Sequence, residues 1–192
     1  TFVDKWIGVL LDHMRELGVY EDTLIIHLSD HGEPFGEHGI IRKARPWAYE
    51  ELVRIPWIMR MPGGEYGGRV SDALVQPRDL LPTILDALDI NSDLVLPFSS
   101  PRATTQLFPQ DMVTDTRNVS LHGESVLPLV RGESSVHRDF AFTGHHAQQW
   151  GIRNQIWTVL ININEKAGRL GTPYELYERR LIKVLYCTST FA

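Results

Sequence analysis

One stretch of the chain narrows its fold more than any other: Thr23-Leu24-Ile25-Ile26-His27-Leu28, followed at once by Ser29-Asp30-His31-Gly32. A nearly continuous apolar, β-branched run of this length reads as a strand buried on both faces, which implies a parallel sheet covered by helices. The polar, ionisable residues behind it then stand at the carboxyl end of a central strand, where open α/β sheets bind their ligands.

The neighbouring segments agree with an α/β reading. Val3, Ile7, Leu10, Leu11, Met14 and Leu17 recur at helical spacing, so residues 2–17 are expected to form an amphipathic helix stopped at Gly18. A short helix is expected over 45–52, a second buried strand over 55–61, a short extended segment over 70–75, and a helix capped by Asp79 and ending at Leu88, with Leu80, Leu81, Ile84, Leu85 and Leu88 inward. Residues 91–118, rich in Ser, Pro, Thr and Asp without a period, read as a long surface loop. Residues 124–130 suggest a short helix closed by Gly132. Residues 140–143, 150–153 and 157–163 read as short strands, with a tight turn at Asn154-Gln155. The expected organisation is an α/β part over 1–135 and a small antiparallel subdomain over 136–192.

Composition excludes several partners. With 192 residues and 43% hydrophobic content the chain can bury one sizeable core, and a formal charge of -5 without a basic block argues against nucleic acid. The lone Cys187 cannot form an intramolecular disulfide, and no apolar run reaches the roughly 18 residues of a membrane span. The chain opens directly into a helical pattern, which leads us to expect that it is N-terminally truncated, with any targeting segment upstream of residue 1.

Asp30 beside His31 offers a hard carboxylate and an imidazole nitrogen, a usable pair of metal ligands. By local chemistry alone, Asp-His-Gly reads first as a capped turn. The segment from Ser29 to Lys43, however, gathers two His, one Lys and three Gly, and this assembly suits an anion beside a metal.

Ser29-Asp30-His31-Gly32, then Gly36-Glu37-His38-Gly39, then Lys43 resembles the second metal-binding motif of the sulfatases of the alkaline phosphatase superfamily: Ser-Asp-Asn/His-Gly, Gly-Asp/Glu-His-Gly and a lysine. The similarity continues through Tyr49-Glu50-Glu51, Val53-Arg54-Ile55-Pro56, Met61-Pro62-Gly63 and Asp79-Leu80-Leu81-Pro82-Thr83. It then runs through residues 122–132, Ile152-Arg153 with Trp157, and Glu175-Leu176-Tyr177. The resemblance implies an alkaline-phosphatase-like sheet covered by helices and hydrolysis of a sulfate ester of a small molecule or carbohydrate. It also implies one divalent metal, calcium or alternatively manganese, on Asp30 and His31. Lys43 would serve as a sulfate-oxygen ligand. His38 is either a second catalytic group or a residue that ties the loop together.

Sulfatases use a formylglycine made from the first residue of Cys/Ser-x-Pro/Ala-x-Arg. Neither the Cys187 context nor Ser99-Ser100-Pro101-Arg102 fits that pattern, so the nucleophile and the remaining acidic metal ligands are expected upstream of residue 1, and the chain alone is expected to be inactive. Two rivals stay open, a phosphate or phosphonate ester hydrolase of the same superfamily and a non-catalytic relative. Oligomeric state is open.

Other residues read as structural. His13 and His27 lie in a helix and a strand, His145-His146 in a polar loop, and Trp6, Trp57 and Trp157 are expected in cores. Asn118-Val119-Ser120 fits a glycosylation acceptor. Residues 179–192 depart from the family ending and read as an added helix or strand or a divergent end.

Overall fold

The computed structural model describes residues 2–42, 48–90, 121–145, 148–163, 173–178 and 185–187. Lys43, residues 45–47, the 91–118 loop, Asn118 and His146 lie outside the described residues. The chain forms two compact units, Thr1–Val75 with Leu129–Ala192, and Gln76–Pro128.

The larger unit begins with helix α1 (Phe2–Glu16), closed by Gly18 at φ 70° with its N–H on the Arg15 carbonyl, 3.0 Å. Of its apolar stripe only Leu11 is buried, whereas Val3, Leu10 and Leu17 are exposed, as is Trp6, which was expected in a core. Strand β1 (Ile25–Leu28) runs antiparallel to β2 (Trp57–Arg60), with Leu28 opposite Trp57. The expected parallel neighbour is therefore corrected. Among the described residues between the two strands stand a 3-10 turn and the single-turn helix α2 (Glu50–Val53), and the register puts the start of β2 beside the end of β1. β1 is also half-buried throughout rather than enclosed on both faces.

Strands β3 (Arg69–Ser71) and, near the end of the chain, β8 (Leu185–Cys187) complete a sheet of order β1-β2-β8-β3, in which β8 is parallel to β2 and antiparallel to β3. The divergent C-terminal stretch thus includes a strand of this sheet. Arg60 ties β2 to the chain after α1. Its fully buried guanidinium donates to the Tyr20 carbonyl at 2.9 Å and to Glu21 at 2.5 Å, and lies over the Tyr20 ring at 4.0 Å.

A second sheet, wholly antiparallel, comprises β4 (Ala141–His145), β5 (Gln149–Arg153), β6 (Trp157–Asn162) and β7 (Tyr174–Glu178) in sequence order. The tight turn at 154–155 is present: Asn154 Oδ1 accepts from the backbone N–H of Ile156 and Trp157, at 2.8 and 2.7 Å. The alternation of this sheet is inverted. Gln149, Arg153, Thr158, Asn162 and Glu175 are buried, while Trp150, Ile152, Trp157, Ile161 and Leu176 face outward. Trp157 therefore does not fill a core as expected, whereas Trp57 does, at 2% exposure. The inward face packs on Ile40, Ala48 and Tyr49, with Leu160 of β6 at the centre of the cluster.

In the smaller unit, a 3-10 turn at Pro77–Asp79 leads into α3 (Leu80–Ala87). Asp79 does not cap α3 as expected. Its carboxylate turns back to accept from the N–H of Gln76 at 2.7 Å and from that of Glu124 at 3.1 Å, so it caps the preceding turn and anchors the 121–126 segment. The buried side of α3 is Pro82, Thr83 and Leu85, with Leu81 and Leu88 exposed, because the Thr83 hydroxyl is recruited inward by the Asp79 carbonyl and the Val126 N–H. Helix α4 (Leu127–Arg131), stopped by Gly132 at φ 76°, begins in this unit and has Leu129–Arg131 in the larger one.

Candidate functional site

The loop after β1 is held in two stretches. In the first, the Ser29 hydroxyl donates to the His31 carbonyl at 2.7 Å, and the His31 N–H donates to Asp30 Oδ1 at 3.0 Å. His31 Nδ1 lies 2.7 Å from the Gly32 carbonyl. A carbonyl can only accept, so Nδ1 carries the hydrogen and Nε2 carries the lone pair. Nε2 stands 3.6 Å from Asp30 Oδ2, whose side chain is 85% exposed. Two ligands bonded to one ion at about 2.1–2.5 Å are separated by roughly 3–4 Å, so this nitrogen and this oxygen are spaced as neighbours in one coordination shell. The Nδ1–H to carbonyl bond fixes the ring orientation, as such a contact does for imidazoles that ligate metals.

Gly32 fixes the turn to α2. Its N–H donates to the Leu52 carbonyl at 2.7 Å, and a Cβ in its place would lie 2.0 Å from the Glu51 carbonyl oxygen. Only glycine permits that approach.

The second stretch forms a small hairpin-like loop. Phe35 bridges Ile41, the Gly36 N–H donates to the Ile40 carbonyl at 2.9 Å with Gly36 at φ 128°, and a 3-10 turn spans Glu37–Gly39. The Glu37 carboxylate accepts from its own backbone N–H and from that of Phe35, bonds that hold its carboxyl below the usual carboxylate range. His38 takes φ 50°, a left-handed conformation that a histidine adopts at some cost. Its ring lies flat on Tyr49, centroids 4.0 Å apart and planes 3° from parallel, and its Nδ1 meets Glu51 Oε1 at 2.9 Å.

Glu51 is therefore the common anchor, its main chain against Gly32 and its carboxylate on His38. Among the described residues no group of three or more His, Cys, Asp and Glu could close around one ion. His13 is exposed and paired with Glu16 at 3.2 Å, and His27 sits half-buried in β1, in keeping with structural roles.

Glu51 and Glu175 carry no role in the sequence motifs that contain them, and Gln149 and Asn162 stand outside those motifs. The signal that could have found Gln149 and Asn162 is the recurrence of polar residues at four-residue spacing, Gln149 and Arg153 on one strand, Thr158 and Asn162 on the next, on the face that must point inward if Trp150 and Ile161 point out.

Residues 1–90 match the family model described as Sulfatase. The chain is 31% identical over 143 residues to an arylsulfatase of Clostridium perfringens, covering 71% of this chain and 27% of that protein. It is 37% identical over 165 residues to an N-acetylglucosamine-6-O-sulfatase of Bacteroides thetaiotaomicron, covering 85% and 26%. Among solved structures it superposes with TM-score 0.64 and 26% identity on a protein in complex with its substrate D-glucosamine-2-N,6-O-disulfate, covering 92% of this chain and 31% of the other. It superposes with TM-score 0.62 on a phosphonate monoester hydrolase from Silicibacter pomeroyi, at 24% identity. The fold is that of the alkaline phosphatase superfamily, and within it the chain belongs to the sulfatase family. It spans about a quarter of the length of these curated relatives.

Proposed function

We propose that this chain is part of a metal-dependent sulfatase that hydrolyses sulfate esters of carbohydrates or other small molecules. The observation that carries the reading is the Asp30–His31 pair, whose Oδ2 and Nε2 are 3.6 Å apart with the His31 tautomer set by the Gly32 carbonyl. A divalent ion held there, calcium or manganese, would supply positive charge against the sulfuryl oxygens. Asp30 and His31 bind and orient. Lys43, outside the described residues, would add a compact cation for a sulfate oxygen, and His38 a hydrogen-bonding imidazole. The nucleophile, a formylglycine, is expected upstream of Thr1. A sulfated sugar is favoured as substrate because relatives so named act on N-acetylglucosamine 6-O-sulfate or were solved with a glucosamine disulfate. The phosphonate monoester hydrolase of the same fold supports the alternative ester.

Two measurements test this. Titration calorimetry of the 192-residue chain with Ca²⁺ and Mn²⁺ should detect binding that Asp30→Ala weakens at least tenfold, and equal binding by the variant would sink the metal assignment. The chain alone should turn over neither an aryl sulfate nor an aryl phosphate. Joined to a segment bearing the nucleophile it should prefer the sulfate, whereas preference for the phosphate or phosphonate would move it to the other branch.

A further inference from the structure

The ring of His38 is fixed by residues to which the sulfatase reading gives no role. Glu51 Oε1, a carboxylate oxygen that can only accept, meets Nδ1 at 2.9 Å, so Nδ1 carries the hydrogen and Nε2 the lone pair. The ring plane is set by Tyr49, which lies parallel beneath it and is 95% buried, and by the edge of Tyr177, 88° from the imidazole at 5.7 Å.

Tyr49 in turn is locked from the antiparallel sheet. Its hydroxyl donates to Glu175 Oε2 at 2.9 Å, and the Tyr177 hydroxyl donates to the same oxygen. Burial, and then the bond to Glu175, push the Tyr177 phenol well above its ordinary range, so it stays a donor. The other Glu175 oxygen accepts from Asn162 Nδ2 at 3.4 Å, Asn162 Oδ1 accepts from Gln149 Nε2 at 2.9 Å, and Gln149 Oε1 accepts from the Ala48 N–H at 2.7 Å. The circuit thus closes on the residue next to Tyr49. Gln149, Asn162 and Glu175 are all buried, where a broken member costs far more than on the surface.

We infer that Glu51, Tyr49 and Glu175 are positioning residues that hold His38 in one tautomer and one ring plane, presenting Nε2 as a hydrogen-bond acceptor for a hydroxyl of the substrate. The identity of that donor rests on the sulfatase reading, and the locking of the ring does not. His38 has 35% of its side chain exposed, and no hydrogen bond to Nε2 is found among the described residues. A free imidazole would divide itself between two tautomers, and a substrate hydroxyl would meet an acceptor in only part of the population.

The test is nitrogen NMR on the ¹⁵N-histidine-labelled 192-residue chain at about pH 8, above the ordinary histidine pKa of about 6.5. The His38 signals are assigned by their loss in His38→Gln. A pyrrole-like Nδ1 and a pyridine-like Nε2 are expected, together with ring protons displaced upfield by the Tyr49 face. Glu51→Gln, which can donate as well as accept, should average the two nitrogens. Glu175→Gln and Tyr49→Phe should keep the Nδ1–H form but shrink the upfield displacement, and Tyr49→Phe, which keeps the aromatic face, carries the test should Glu175→Gln unfold by circular dichroism. A wild-type His38 with averaged nitrogens or with the hydrogen on Nε2, or an unchanged displacement in Tyr49→Phe, would overturn the inference. Failure of metal binding or ester turnover with these spectra intact would sink the sulfatase reading alone.

Discussion

The two stretches of the loop after β1 are positioned by opposite means. Within residues 29–32 the side chains of Ser29 and His31 are oriented by contacts one or two residues away, Ser29 on His31 and His31 on Gly32, while the Gly32 backbone ties the stretch to Leu52. His38 is held by Glu51 and Tyr49, and Tyr49 by Glu175, 126 residues further on. A candidate metal pair with an exposed carboxylate needs only local control, since a bound ion would itself fix the final geometry. An imidazole that must point its lone pair without an ion's help needs a preformed support. Glu51 joins the two schemes, and substitutions on either side of it should separate them.

The largest effect is expected at Arg153. Its guanidinium, 5% exposed, donates to Glu50 Oε1 at 2.6 Å and to the Ala48 carbonyl at 3.0 Å. Arg153→Met should cost about 3 kcal/mol in urea unfolding, the low end for breaking a buried pair because Glu50 keeps some solvent contact. It should perturb His38 more than the Asp30–His31 pair. Gly32→Ala comes next, at about 1–3 kcal/mol, because the new Cβ collides with the Glu51 carbonyl, and it should disturb both stretches together. If its effect is confined to residues 29–32, Glu51 is not the shared anchor.

Tyr49→Phe removes one hydroxyl from a buried carboxylate and should cost about 1–2 kcal/mol, with metal affinity unchanged. His31→Ala should fall within about 0.5 kcal/mol in stability while abolishing metal binding, the reverse of the Tyr49 result. The smallest effect concerns pH. The Glu37 carboxyl is depressed in the folded chain, so the support it lends the 35–41 turn is complete above its unfolded pKa and fades as pH falls through the lower folded value. Amide exchange at Phe35 should speed up on acidification, beyond the change in intrinsic rate, and that excess should vanish in Glu37→Gln.

Much of this was written in local pattern. The helices 2–16 and 80–87, the strands at 25–28, 57–60 and 149–162, the turn at Asn154 and the glycine stops at Gly18 and Gly132 follow from periodicity and turn chemistry that neighbours in sequence supply. So do the identity and order of the motif from Ser29 to Gly39. The misreadings share one cause. Apolar β-branched residues report a wish for burial and not a strand direction, so β1 could not announce its antiparallel partner. Asp79 could not announce that it would turn backward to Gln76 and across to Glu124. The outward Trp157 and the polar inner face of the second sheet depend on what packs beneath, where the Ala48 backbone, the Tyr49 hydroxyl and the Glu50 carboxylate meet its polar side chains.

What the sequence by itself determined is the chemistry on offer: a carboxylate beside an imidazole, a glycine where the backbone must pass within contact of another, and a family order of motifs. Only the tertiary structure decided which nitrogen of each histidine is free. A tautomer is chosen by the partner of the other nitrogen. For His31 that partner is the next residue, but for His38 it is Glu51, on a helix 13 residues away, with a ring plane set through Tyr49 by a carboxylate from another sheet. Contacts at such separations depend on how strands and loops pack, and no short-range pattern carries them.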